Sequence, residues 1–177
     1  MKELEGSLVA VSSDAYYFEN DKSNSILILG VGNYLMGDEG VGVHLIQHFS
    51  KFNLPDYIDI LDGGTGGFLL LDCFKAYPSI IFVDATMDGK PAGTISLLRP
   101  KFASDFPSAL SVHDVGLKDM IEAVYLMEEV PDVYLFTISI KEMIPMTVEL
   151  SPEVEMAIPE LIDQILELSK KLKFQKT

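Results

Sequence analysis

A single cysteine, Cys73, excludes an internal disulfide, and without a cysteine framework the chain reads as a protein of a reducing compartment. Basic residues are also scarce. Thirteen Lys and Arg stand against 27 Asp and Glu, a formal charge of −14, so long-range electrostatics repel nucleic acid and anionic membranes. No apolar run approaches the roughly 18 residues of a membrane span. The best, Ile26 to Met36, is short and broken by Gly30, Gly32 and Asn33. The first 24 residues lack the basic and long apolar regions of a secretion signal and carry Glu3, Glu5, Asp14, Glu19 and Asp21 instead. The expected location is therefore the cytoplasm. Residues 1–24 read as an extension of unassigned role, and residues 25–177 as one domain.

What is present points to a layered α/β fold. With 177 residues and 48% of them hydrophobic, one core suffices to bury roughly 70% of the surface of the unfolded chain. Ile26-Leu27-Ile28-Leu29-Gly30-Val31 and Ser79-Ile80-Ile81-Phe82-Val83-Asp84 are continuously apolar, the signature of parallel strands buried on both faces. Val41, Leu45 and Phe49 recur every four residues and predict an amphipathic helix from about Gly40, with His44, Gln47, His48 and Lys51 on its solvated side. Tyr57 to Leu61 predicts a second strand and Gly67 to Tyr77 a short helix. The link from Asp84 to the strand-like run Thr94 to Leu98 is too short for a crossover helix, so that fourth strand is expected to run antiparallel to the third. A helix over Leu117 to Met127, a strand over Val133 to Ile138, and a last helix opening at Ser151-Pro152-Glu153 complete an α/β/α sandwich.

Ligands of open α/β sheets sit beyond the carboxyl ends of the parallel strands. Asp38 and Glu39 arrive there after the first strand, Asp62-Gly63-Gly64-Thr65 after the second and Asp84 after the third. Because the antiparallel fourth strand descends, the segment Pro100 to Val112 must climb back and deliver His113 to the same edge. Glu39, Asp84 and His113 are thus expected to form one cluster, open to solvent. Two carboxylates and an imidazole suit a borderline divalent ion, with nickel, zinc and iron all compatible. Strand-end aspartates also commonly cap helices and turns. A nucleotide-binding reading of Gly30-x-Gly32 fails, since Leu35 replaces the third small residue and Asp38 and Glu39 would repel phosphate. Cys73 reads as a buried structural thiol, and Met143, Met146 and Met156 as core filling more than a binding surface.

The run Leu29-Gly30-Val31-Gly32-Asn33-Tyr34-Leu35-Met36-Gly37-Asp38-Glu39-Gly40-Val41-Gly42 closely resembles the hydrogenase maturation endopeptidases, which process the large subunit of nickel–iron hydrogenases. Leu61 to Thr65 is similar to that family's glycine loop, Ile81 to Thr86 to its third strand and turn, and Ser111 to Leu117 to its histidine segment. The likeness runs from about Ser25 to Leu172. It implies a mixed five-stranded twisted sheet with the fourth strand antiparallel, and metal ligands at Glu39, Asp84 and His113. It also implies substrate contacts at Gly63, Gly64 and Thr65, and a single cut near the C-terminus of the large-subunit precursor. The nickel involved would be contributed by that precursor after its insertion there. Asp38 or Asp62 is the expected general base of a metal-assisted or aspartyl-type cut. The alternative of another class is a nickel-sensing chaperone that binds the precursor without cutting it.

Overall fold

Every residue of Ile26–Val31 (β1) and Ser79–Thr86 (β3) is buried, as strands covered on both faces require. The computed structural model describes residues 22–66, 70–100 and 130–175. Between those two strands lie a 3-10 turn (Gly37–Gly40), α1 (Val41–Phe49), β2 (Ile58–Gly64) and α2 (Leu71–Ala76). After them come β4 (Ile95–Leu98), β5 (Asp132–Ser139) and α3 (Pro152–Gln175). The helix expected over Leu117 to Met127 lies outside the described residues, as does His113.

The five strands form one sheet in the order β2-β1-β3-β5-β4. All neighbours pair in parallel except β4, which pairs antiparallel with β5 through Ile95–Ile138 and Leu98–Leu135. The expected direction of the fourth strand is therefore present, but β5 separates it from β3. Gly93 and Thr94 fix the loop that makes this passage, through hydrogen bonds of 2.9 Å from Gly93 N to Ser139 O and from Ser139 N to Thr94 O.

Alternation along the strands divides the core in two. Ile28, Ile81, Val83 and Phe136 face α1 and α3, where Leu45, Phe49, Leu161 and Ile165 meet them. Leu29, Phe82 and Leu135 face the other way and pack on Leu70, Cys73 and Phe74. Burial of each such side chain stabilises the fold by about 1.5–3 kcal/mol before the entropy of ordering is counted. Helix α1 approaches the sheet closely because Gly42 has no side chain. A Cβ there would lie 2.5 Å from the carbonyl oxygen of Val83 and 2.7 Å from the backbone nitrogen of Val31. That contact carries the chain leaving β1 across to β3, and with it the residues that precede α1.

Candidate active site

The segment between β1 and α1 brings Asp38 and Glu39 to the carboxyl end of the sheet. Gly32 has φ +133°, open to glycine and poorly accessible to other residues, and a Cβ there would collide with the carbonyl oxygen of Glu39. The chain doubles back on itself at this point. The 3-10 turn that results packs against β3, near the end of the strand that contains Asp84. Glu39 and Asp84 are both 0% exposed, and Asp84 Oδ1 accepts a 2.8 Å hydrogen bond from the backbone nitrogen of Ala85. The solvent-open cluster expected from sequence is corrected here for these two carboxylates. The glycine-mediated approach of the turn to β3 closes them in.

The glycine loop reaches the same edge. Strand β2 runs past Leu61 to Gly64, three residues farther than its apolar pattern indicates, because Gly30 still pairs with Asp62 and, after a bulge, Val31 pairs with Gly64. Gly32 N donates to Gly64 O at 2.9 Å, so the loop is laid along the end of β1. Asp62 Oδ1 accepts from Gly64 N at 2.9 Å, which closes a turn with Gly64 at φ +47°. Asp62 is half-buried, Gly63 buried and Thr65 exposed.

Asp38 is held differently from its neighbour. Its carboxylate is 8% exposed and Oδ1 accepts a 2.6 Å hydrogen bond from the backbone nitrogen of Ser151, 113 residues away. Ser151 is the residue before α3. Its own hydroxyl is buried with no hydrogen-bond partner among the described residues, and the carboxylate of Asp38 satisfies the N–H of Ser151 itself at the start of the helix. The segment leading to α3 is bound to the same loop: Gly37 N donates to Thr147 O at 2.8 Å, and Thr147 N to Leu35 O at 3.3 Å. Among the described residues, no three His, Cys, Asp or Glu side chains are grouped so as to hold a metal ion.

The model of the family described as hydrogenase maturation protease, HycI, matches residues 43–168. The chain belongs to this family. Hydrogenase 2 maturation protease of Escherichia coli is 36% identical over 144 residues, 80% of this chain and 88% of that one. The HupD hydrogenase expression/formation protein of Bradyrhizobium diazoefficiens is 35% identical over 115 residues, covering 63% of this chain and 60% of that protein. The solved hydrogenase maturating endopeptidase HybD of E. coli superposes with a TM-score of 0.76 at 33% identity, over 83% of this chain and 93% of that structure. The hydrogenase 2 maturation peptidase of a Thaumarchaeota archaeon superposes at 0.64 with 30% identity, over 81% and 97%. This hydrogenase maturation protease is accordingly a peptide-bond hydrolase, and its mixed sheet with one antiparallel strand is that of its relatives. No helix among its described residues is long and apolar enough to cross a membrane.

His44 and two of the methionines of this maturation protease depart from the sequence reading, whereas Cys73 agrees with it. His44 is not simply on a solvated face: its Nε2 lies 2.8 Å from Val148 O and its ring 4.8 Å from that of Tyr34. Since a carbonyl only accepts, Nε2 carries the proton. Met146 and Met156 do not fill the core, being 86% and 80% exposed, whereas Met143 packs against it. Cys73 is 0% exposed and its thiol is pushed up to about 12, mainly by burial, as suits a structural role. The Asp38 to Ser151 bond had no local signal, because its partners are distant in sequence.

Proposed function

We propose that this protein works in the cytoplasm as an endopeptidase that removes a C-terminal peptide from the precursor of a nickel–iron hydrogenase large subunit, after nickel has entered that precursor. The supporting observation is the complete burial of two carboxylates, Glu39 in the 3-10 turn after β1 and Asp84 near the end of β3, in a chain of this family. Two oxygen donors together with the imidazole of His113 suit a borderline divalent ion, so these three residues are the ones that would hold the precursor's nickel.

Held by these residues, a divalent ion would supply Lewis-acid chemistry at the scissile carbonyl or at a bound water. The chain's own groups do the rest. Asp62 serves as general base, because its half-buried carboxylate retains access to water, while one oxygen of Asp38 is committed to Ser151 in a nearly closed environment. The exposed Thr65 offers its hydroxyl to the precursor chain at the same edge, on a turn that Gly63 and Gly64 hold through their own backbone hydrogen bonds.

The test follows the mass of the precursor. Metal-free enzyme mixed with nickel-loaded and nickel-free precursor should release a C-terminal peptide from the loaded form only. Equal release from both would make this a sequence-directed peptidase without a nickel checkpoint. Tight binding of the loaded precursor with no change in mass would assign the chaperone role instead. Glu39→Gln should keep the fold and lose processing, since an amide is a much poorer ligand for a divalent cation than a carboxylate.

A further inference from the structure

Beside the buried carboxylates the protein holds apolar side chains out into water. Ile144 N donates to Met36 O at 3.4 Å and Thr147 pairs with Met36, so the segment 144–147 lies against residues 35–37. On these two paired stretches Leu35 is 51% exposed, Ile144 48% and Met146 86%. Scattered exposed hydrophobic residues are ordinary in soluble proteins, but three on one pair of bonded segments are not scattered. Met146 adds a second observation. It is the one non-glycine residue with positive φ, +61°, among those described. An unbranched but bulky side chain in that region costs the backbone about 1 kcal/mol or more, and here no burial offsets it.

The location connects this surface to the reaction. Gly37, bonded to Thr147, is two residues from Glu39, and Ser151 is held by Asp38. The stretch is also acidic. Between residues 141 and 155, Glu142, Glu149, Glu153 and Glu155 are exposed and Lys141 is the one basic residue. None of these four carboxylates forms an ion pair with another described residue.

We propose that Leu35, Ile144 and Met146 form the surface on which the precursor docks, receiving an extended stretch that presents an apolar side chain together with lysine or arginine. The inference rests on the peptidase reading above and names the chemistry of the substrate segment. Methionine suits such a contact because its unbranched thioether adapts to the shape of an apolar partner. The acidic rim attracts a basic partner over distances near the Debye length, about 8 Å at physiological salt, and so raises the rate of encounter.

The experiment measures capture and cutting separately, with purified nickel-loaded precursor. Met146→Gly and Ile144→Ser are expected to raise KM about tenfold with kcat little changed, and to weaken precursor binding by a similar factor. Met146→Gly should melt no lower than wild type, since glycine adopts this φ freely. A merely structural role for Met146 would instead lower the melting temperature and leave KM in place. Glu142→Lys combined with Glu149→Lys should weaken binding and flatten its dependence on salt. Wild-type KM values in all these variants would overturn the proposal. So would a concentration-dependent dimer dispersed by Met146→Gly, which would give the surface to a second copy of the chain. A wild-type protein that binds the precursor through this surface without cutting it would refute the peptidase reading while upholding the docking surface.

Discussion

Replacing Asp38 separates two roles that a carboxylate in this position can play. In the structure its Oδ1 accepts the Ser151 N–H at 2.6 Å, at the mouth of a 24-residue helix whose dipole favours a negative charge there. A hydrogen bond to a charged group contributes about 1.5–3 kcal/mol and the dipole adds roughly 0.3–1 kcal/mol. Asp38→Ala removes both, so an expected loss of about 2–4 kcal/mol should lower the melting temperature by about 4–16 °C in a domain of this size. Asp38→Asn keeps an acceptor oxygen and loses only the charge, and should cost about 1 kcal/mol. Thermal and urea unfolding give the stabilities, and precursor mass gives the activity. If Asp38 anchors rather than takes a proton, Asp38→Asn keeps most of the cleavage rate. An Asp38→Ala protein that melts within about 1 °C of wild type would refute the anchor. Loss of all cleavage in a stable Asp38→Asn protein would move the general base from Asp62 to Asp38.

The parts of this fold that are legible in sequence are those where one physical requirement dominates. A strand buried on both faces must be apolar throughout, so β1, β3 and β5 stand out as runs of Ile, Leu, Val and Phe. The last three residues of β2, Asp62 to Gly64, do not stand out, because pairing with β1 holds them extended and glycine has no strand pattern of its own. The order of strands depends on the passage from β3 to β4, which carries the chain past β5, and no periodicity encodes which neighbour a strand chooses. At the site, the arrival of acids at one edge follows from topology alone. Which of two consecutive carboxylates turns inward does not: Asp38 and Glu39 differ by one position, and the close approach permitted at Gly32 and Gly42 accompanies a Glu39 that is fully buried and an Asp38 that reaches Ser151. The exposure of Met146 was equally hidden, since a methionine has the same composition signal in a core and on a binding surface.

Gly42→Ala should destabilise the protein by about 3 kcal/mol or more, because the added methyl meets backbone atoms of both β1 and β3 that cannot rotate away, and a near-wild-type urea midpoint would contradict that packing. Cys73 should resist a thiol reagent at pH 8 in the folded protein and react once denaturant is added, since its buried thiol is pushed up to about 12; equal labelling in both conditions would place it at the surface. Tyr77 should make stability fall at alkaline pH. Its hydroxyl donates to Asp59 Oδ2 at 3.1 Å, and burial first, then the charge of Asp59, raises its pKa well above the ordinary value of 10.0. Above about pH 10 the unfolded chain releases this proton while the folded protein keeps it. The unfolded state then binds fewer protons, so the free energy of unfolding decreases as pH rises, and below pH 10 the contribution is fully present. Tyr77→Phe removes this part of the slope and loses about 1 kcal/mol at neutral pH through the missing hydrogen bond. Urea midpoints measured from pH 8 to 11 should therefore converge for the two proteins at the alkaline end, and curves that stay parallel would show that the phenol ionises as readily in the folded protein as in the unfolded one.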